Sequence, residues 1–152
     1  MPENGGNAHD RRGEQRRAIY LIGGSKNLGS SGNAIFSGSN QVYDPQTNEW
    51  TIKANLPIVE TYGAAAATQN YMAPTRIYFL GGFFSDNYNG QTHVYNPNHT
   101  SWSTAASMPT PRADLGTAVI NDVIYAIGGF DGTNWLDTVE QYNPIWYGTV
   151  PL

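Results

Sequence analysis

The sequence contains no cysteine, few charged residues and no long apolar run. Because it has no cysteine, the chain can form no disulfide, and it has no thiolate that could act as a nucleophile or as a metal ligand. Only 13% of its 152 residues are charged. No apolar run approaches the roughly 18 residues that a membrane-spanning helix needs, and no stretch shows sustained helical periodicity. These absences argue against a disulfide-stapled domain, a helical bundle and a helical membrane protein.

Glycine, proline and aromatic residues are plentiful instead. The chain has 17 glycines, 9 prolines and 12% aromatic residues. Short apolar runs rich in Ile, Val, Tyr and Phe, bounded by Gly, Asn and Pro, are typical of β-strands. The runs predict strands at 18–23, 76–81 and 123–128, each followed by a further strand at 40–44, 92–96 and 138–143, with small-residue strands at 63–68 and 115–120.

One phrase occurs three times: an aliphatic run ending in two glycines, followed by a Tyr-Asx-Pro turn. The runs are IYLIGG, IYFLGG and VIYAIGG, and the turns are VYDPQTNEW, VYNPNHTSW and QYNPIWYG. The tyrosines lie 52 and then 47 residues apart, at positions 43, 95 and 142. A period near 50 is typical of stacked β-units. The repeated residues are Gly23, Gly24, Tyr43 and Trp50, then Gly81, Gly82, Tyr95 and Trp102, then Gly128, Gly129 and Tyr142.

The glycine pairs are predicted to serve backbone geometry rather than ligand binding. Glycine adopts φ values that a Cβ forbids and allows a neighbouring backbone to approach closely. A phosphate-binding loop would need a GxGxxG or GxxxxGK pattern that opens a helix, and the sequence has neither. Trp50 and Trp102 are expected to pack against the adjacent repeat.

In these residues the chain resembles the kelch repeat proteins, whose repeats carry a double glycine after the second strand and a Tyr and a Trp around the third. In two copies Tyr and Trp are seven residues apart, and a Leu-Pro or Met-Pro pair follows. The third copy departs at its end, because Thr149 stands seven residues after Tyr142 and Trp146 is out of register. The resemblance implies an all-β fold, a kelch-type β-propeller arc of about three four-stranded blades.

The resemblance also implies a division of the chain. We expect a flexible polar tail at 1–17, kelch repeats over 18–147 with blades at roughly 18–57, 61–109 and 112–147, and a C-terminal tail at 148–152. The first tail has a net charge of about +1 and the remainder −5. Because acids are mixed with the arginines of the tail and the body is acidic, nucleic-acid binding is not expected.

The number of repeats bears on assembly. Propellers usually close with about 4 to 8 blades, and an open arc exposes strand edges that can pair with other chains. Two interpretations follow: a fragment of a larger propeller, or a six-blade ring built from two copies. The decay of the last repeat over 145–152 favours the fragment.

If the arc has the family geometry, function is expected on one rim, built from the segments 25–39, 83–91 and 130–137 and the shorter 57–62 and 109–114. These segments differ in length and sequence from one repeat to the next, whereas the strands repeat. Their mixture of aromatic and short polar groups suits a protein or glycan partner. The candidate binding residues are Arg112, Phe83, Phe84, Asp86, Tyr88, Phe130, Asp131, Asn134 and Trp135.

Arg112 is the strongest single candidate. It resembles the arginine that many kelch blades carry near the mouth of the central channel, where it can bind carboxylates. An intramolecular pair with Asp114 or with a neighbouring blade is the alternative. In the preceding copy the aligned position is Glu60, so a repeated ring of arginines is not expected.

No catalytic residue, metal site or cofactor is predicted. His9, His93 and His99 lack metal-ligand spacing, and there is no GxSxG motif. Kelch-like copper oxidases require a cysteine. We therefore predict a non-catalytic interaction scaffold. The alternative is an arc of a carbohydrate-active kelch propeller, sugar isomerase or oxidase-like, whose catalytic residues lie mostly outside this chain.

Two features bear on location. Asn98-His99-Thr100 fits the N-glycosylation pattern. The ending QYNPIWYGTVPL resembles the last blade phrase of secreted or surface-anchored kelch-type proteins, which favours an extracellular or cell-surface parent. The AIYLIGG run is too short and glycine-rich for a signal peptide, so the compartment of this chain stays open.

Overall fold

The computed structural model describes residues 18–28 and 34–144, and in these residues all regular structure is β-strand. The all-β prediction is therefore confirmed. The predicted tails at 1–17 and 148–152, and the third-repeat positions Trp146 and Thr149, lie outside the described residues.

Twelve strands follow one another along the chain. β1 (Ile19–Ile22) is followed by β2 (Ser25–Leu28), β3 (Ala34–Phe36), β4 (Asn40–Asp44), β5 (Glu49–Lys53), β6 (Ala64–Ala67), β7 (Ile77–Phe84), β8 (Asn87–Asn96), β9 (Ser101–Ala105), β10 (Gly116–Ile120), β11 (Val123–Ile127) and β12 (Val139–Tyr142). They form three antiparallel blades, ordered β1-β4-β5, β6-β7-β8-β9 and β10-β11-β12, and a separate β2-β3 hairpin. We call these blades 1, 2 and 3.

The eight predicted strands are all present, and two predicted rim loops are partly strands. The segment 83–91 was expected as a loop, but β7 continues to Phe84 and β8 begins at Asn87. A shift of register between Leu80 and Gly82 lets the strand pair continue past the glycines. The segment 25–39 likewise contains the β2-β3 hairpin. Both loop predictions were wrong, because in blade 2 the glycine pair bends β7 without ending it, and in blade 1 a separate hairpin follows the pair.

Blade 2 is covered on both faces, which explains why its second strand, β7, has only aliphatic and aromatic side chains. Ile77 and Phe79 face blade 1, whereas Tyr78 and Leu80 face blade 3, and each of the four is at most 4% exposed. The Tyr78 ring packs on Tyr142 of blade 3 at a centroid distance of 5.6 Å. Between blades 2 and 3 lies the main core, made of Ala66, Tyr78, Leu80, Met108, Leu115, Ile124 and Ala126.

The outer faces of blades 1 and 3 are exposed at positions that blade 2 buries. Leu21 of blade 1 is 53% exposed, although the equivalent Phe79 is 4% exposed. Ile127 of blade 3 is 43% exposed, whereas the equivalent Leu80 is 1% exposed. Both ends of the arc therefore have the apolar character of a face between blades.

The six repeated glycines have φ between 61° and 124°, where a Cβ is strained. At Gly129, with φ +103°, a Cβ would also lie 2.7 Å from the Ala113 carbonyl oxygen. At Gly24, with φ +99°, no atom of the described residues lies within 4 Å of such a Cβ. The second glycine thus allows the strand to turn in both blades, and in blade 3 it also admits the backbone that leads into the inner strand.

The two tryptophans have different surroundings. Trp102 packs on Tyr95 at 5.1 Å, and its Nε1 donates to the carbonyl of Ala54 in blade 1, 2.8 Å away. Trp50 packs on Tyr43 at the same distance but is 55% exposed. Trp102 therefore joins two blades, whereas Trp50 lies against its own blade.

The carboxylate of Asp122 links blades 2 and 3 at the edge of the arc opposite the glycine pairs. Asp122, in the β10-β11 turn, accepts backbone N–H bonds from Gln69 at Oδ1 and from Tyr71, Met72 and Ala73 at Oδ2. The distances are 2.6, 2.6, 2.7 and 3.0 Å. Burial alone would raise the pKa of Asp122, but the four donors outweigh it and hold the pKa below its ordinary value.

Candidate functional site

The edge of the arc near the glycine pairs, which we call the rim, carries a continuous row of aromatic rings. Phe83 packs on Tyr88 at a centroid distance of 5.1 Å, Tyr88 on Phe130 at 5.6 Å, and Phe130 on Trp135 at 5.1 Å. We call these four residues the aromatic row. It crosses from blade 2 to blade 3 and ends at Trp135, which is 75% exposed.

The repeat itself positions the row. Phe83 and Phe130 each follow the second glycine of a pair, and each pairs with the segment before the inner strand of its blade. Phe83 exchanges backbone bonds with Thr61 at 2.7 and 3.1 Å, and Phe130 with Ala113 at 2.9 and 3.0 Å. The backbone of Phe130 also bridges to Trp135. The two loops are therefore held in equivalent positions, and their rings meet through Tyr88.

A second aromatic pair links the β2-β3 hairpin to the segment that precedes β6. Phe36 of the β2-β3 hairpin packs edge-on against Tyr62 at 6.3 Å, and both side chains are exposed. Neither residue was among the sequence-derived candidates. Both lie inside predicted rim segments, 25–39 and 57–62, so their position was the available signal.

The rim segments also carry aspartates. Asp86 lies in the β7-β8 turn, and Asp114 and Asp137 are also exposed. Asp131 accepts N–H bonds from Asn134 and Thr133, each at 2.7 Å, and these backbone donors hold its pKa below the ordinary value. Asn134 thus orders the 131–134 turn through its backbone, while its side chain remains on the exposed surface.

Phe84 is the remaining aromatic candidate of the β7-β8 hairpin. It is 47% exposed and lies opposite Asn87 in the strand register. Together with Asp86 in the turn it forms the tip of the hairpin. The structure therefore brings Phe83, Phe84, Asp86, Tyr88, Phe130, Asp131, Asn134 and Trp135 to one rim.

Arg112 has no exposed surface. Its Nη2 lies 3.2 Å from Glu140 Oε2 on β12 and donates to the Ala126 carbonyl at 3.2 Å. The intramolecular pair is with Glu140 of its own blade and not with Asp114. A partner on the rim surface therefore has no access to this guanidinium.

Blade 2 carries the counterpart of this pair, with the acid before the inner strand and a histidine on the third strand. Glu60 stands at the position aligned with Arg112. Its Oε2 atom lies 3.4 Å from the Nε2 atom of His93. His93 precedes the repeat tyrosine by two residues, as Glu140 does in blade 3. Glu60 and His93 are almost completely buried, and Asn89 donates a hydrogen bond to Glu60. Blades 2 and 3 thus each place one ionisable group before the inner strand and its partner on the third strand.

Other chemistry is sparse in the part of the chain that the structure describes. Within residues 18–28 and 34–144, no three His, Asp or Glu side chains are grouped so that they could hold a metal ion. No helix in these residues is long and apolar enough to cross a membrane. Asn98 lies on the exposed β8-β9 turn, where its sequence pattern is accessible.

Comparison with known proteins places the sequence in a family. Models of the Kelch motif match residues 13–57 and 111–145. The chain is 32% identical over 130 residues to spermatocyte protein spe-26 of Caenorhabditis elegans, covering 84% of this chain and 20% of that protein. It is 32% identical over 135 residues to Kelch-like protein terF of Aspergillus terreus, covering 82% and 28%.

Further comparisons agree. Human Kelch-like protein 23 is 30% identical over 129 residues, covering 83% of this chain and 21% of that protein. The solved structure of YjhT matches with a TM-score of 0.62 at 15% identity, covering 86% of this chain and 50% of that one. The fold is thus that of an incomplete β-propeller. The chain spans 20% to 28% of the length of these curated relatives.

Proposed function

The chain is a kelch-repeat protein carrying about three of the repeats, and we propose that it is a non-catalytic scaffold whose rim binds a protein partner. The observation that carries the proposal is the aromatic row, which ends at the 75% exposed Trp135. Large aromatic side chains that are held in place and exposed together are typical of the centres of protein interfaces.

The rigidity of the rim supports this function. The Phe83 and Phe130 backbones are fixed by paired hydrogen bonds, and Gly132 lies where a Cβ would meet the Tyr88 ring at 2.8 Å. Little side-chain entropy is therefore lost when a partner covers these rings. Because Tyr88 packs edge-to-face on Phe83 and on Phe130, these rings do not share one plane, as a flat platform for a sugar ring would require.

We further propose that the exposed end faces of the arc are covered by additional blades in the functional propeller. Leu21 and Ile127 occupy positions that are buried in blade 2. We assign the repeats to residues 18–147, as the sequence predicts. Light scattering on this chain distinguishes a monomer from a pair of copies: a monodisperse dimer that melts cooperatively would show that a second copy covers the faces.

The rim function is tested by selecting peptides from a random library displayed on phage, with the immobilised chain as target. The variant is Trp135→Ala and the matched control is Tyr71→Ala. Both side chains are 75% exposed, but Tyr71 lies on the β6-β7 loop at the opposite end of the blades. We expect enriched peptides that bind the wild type and the Tyr71 variant and lose most of their affinity for the Trp135 variant.

Two outcomes contradict the proposal. Peptides that bind the Trp135 variant as well as the wild type would place binding elsewhere. An oligosaccharide on a glycan array that requires Trp135, with no peptide enriched, would replace the protein partner by a glycan. Conversion of that sugar by the chain would support the carbohydrate-active alternative.

A further inference from the structure

Building on the proposed rim function, we infer that the partner segment is basic: a peptide that places arginine or lysine side chains against the aromatic row. The inference rests on the charges that surround the rings. It names the chemistry of the partner, which the presence of exposed aromatic residues does not specify.

The charges that the rim exposes among the described side chains are acidic. Asp86, Asp114 and Asp137 are exposed, and Asp131 is half-buried. The basic residues of the rim segments do not balance them. Arg112 is fully buried and paired with Glu140. One further basic residue, Lys26, occurs in the rim segments, which are 25–39, 57–62, 83–91, 109–114 and 130–137.

Two of these aspartates stand next to the aromatic row in the chain. Asp131 follows Phe130 directly, and the loop that carries it packs on Tyr88 at 5.6 Å between ring centroids. Asp86 stands at the tip of the same hairpin that carries Phe83 and Tyr88. A guanidinium can lie over an aromatic face within about 6 Å of its centroid while its edge donates to a carboxylate. The loops that carry the rings thus also carry Asp86 and Asp131.

An acidic segment would meet the opposite situation. Its carboxylates would approach four aspartates with no exposed cation in 57–62, 83–91, 109–114 or 130–137 to pair with. Like charges brought together at an interface are unfavourable and suppress the wrong partners. Because the aspartates are at or near the surface, the preference is expected to weaken as salt shortens the screening length from about 10 Å at 0.1 M to about 3 Å at 1 M.

The test uses three fluorescein-labelled peptides of equal length in which glycine alternates with arginine, serine or glutamate. Binding to the purified chain is followed by anisotropy at low and at high salt. We expect the arginine peptide to bind at least about tenfold more tightly than the glutamate peptide at low salt, with the difference narrowing at high salt.

Variants locate the effect. Asp131→Asn keeps the side-chain oxygen that orders the turn and removes the charge, and Trp135→Ala removes the ring. Each should weaken the arginine peptide about two- to fivefold. The matched controls are Glu49→Gln, an exposed acid on β5, and Tyr71→Ala. Both should leave the affinity unchanged.

The outcomes separate the two proposals. If the serine peptide binds as tightly as the arginine peptide and both require Trp135, the rim scaffold stands and the basic partner is refuted. If the glutamate peptide binds best, the basic partner is likewise refuted. If the arginine peptide binds all variants equally, its binding is not at the rim, and the basic-partner inference fails. The rim function then depends on the phage selection alone.

Discussion

Replacing Asp122 by Asn should destabilise the chain more than its position in a two-residue turn implies. The carboxylate accepts four backbone N–H bonds from blade 2 while being 3% exposed. An amide has one acceptor oxygen, so either the Gln69 donor or the three donors from Tyr71 to Ala73 would face an NH₂ group. A buried donor without an acceptor costs about 1–3 kcal/mol, and a hydrogen bond to a charged group contributes about 1.5–3 kcal/mol.

These terms set the size of the effect. If the amide oxygen keeps the three donors of Oδ2, one bond is lost and three become neutral bonds of about half the strength. Because neighbouring contributions do not add fully, we expect Asp122→Asn to lower the free energy of unfolding by about 3 kcal/mol. That is a large fraction of the roughly 5–15 kcal/mol that stabilises a typical domain.

Asp86→Asn is the matched control. Asp86 and Asp122 both occupy the second turn position of a hairpin with φ of 63°, but Asp86 is exposed. Asp86→Asn should lower the free energy of unfolding by no more than about 0.5 kcal/mol. Urea unfolding of the three proteins measures the differences. If Asp122→Asn loses no more than Asp86→Asn, the four bonds contribute nothing beyond turn geometry, and the reasoning is refuted.

The pH dependence provides a second check. The folded-state pKa of Asp122 lies below the ordinary value of 3.8, so the ionised form stabilises the fold. This stabilisation is fully present above the unfolded pKa, near 3.9, and is lost as pH falls through the folded pKa. The gap between wild type and Asp122→Asn should therefore be constant from neutral pH to about pH 5 and shrink below about pH 4. The amide resonances of Tyr71 and Met72 should move with the same titration.

Three further predictions follow from the repeats. Gly129→Ala should cost about 3 kcal/mol and Gly24→Ala about 1 kcal/mol, because they share φ but only the first brings a Cβ against backbone; equal shifts in denaturant midpoint would contradict this. Glu60→Arg and His93→Glu should each cost about 3 kcal/mol by leaving a buried charge without its partner, whereas the double variant should recover most of the loss; thermal melts that show additive losses would refute the exchange. Burial raises the pKa of Tyr78 to about 12, so Tyr78→Phe should remove a late phase from the alkaline absorbance titration. A single phase near 10 in the wild type would contradict that expectation.

The strands could be predicted because their signals are local. An apolar run with a glycine pair and a Tyr-Asx-Pro turn specifies β7 and the third strand of blade 2 without reference to other residues. The continuation of β7 past Gly82 to Phe84 could not be predicted in this way, because it depends on the backbone bonds between Phe83 and Thr61. The candidate aromatic residues were found by position, but the contact of Tyr62 with Phe36 of the β2-β3 hairpin depends on the fold and could not be predicted in this way.

Predicting whether a charged residue is buried in a pair required a comparison of two positions in the chain. Arg112 was interpreted from a single repeat, where a basic residue before an inner strand fits a surface contact as well as a buried pair. The structure shows that the position has a fixed partner two residues before the repeat tyrosine, Glu140 in blade 3 and His93 in blade 2. In a repeat protein, equivalent positions face equivalent neighbours, so an acid at Glu60 requires a base or a hydrogen-bond donor at the partner position. Comparing both positions between repeats would have assigned Arg112 to a buried pair from the sequence and left the exposed aspartates as the rim charges available to a partner.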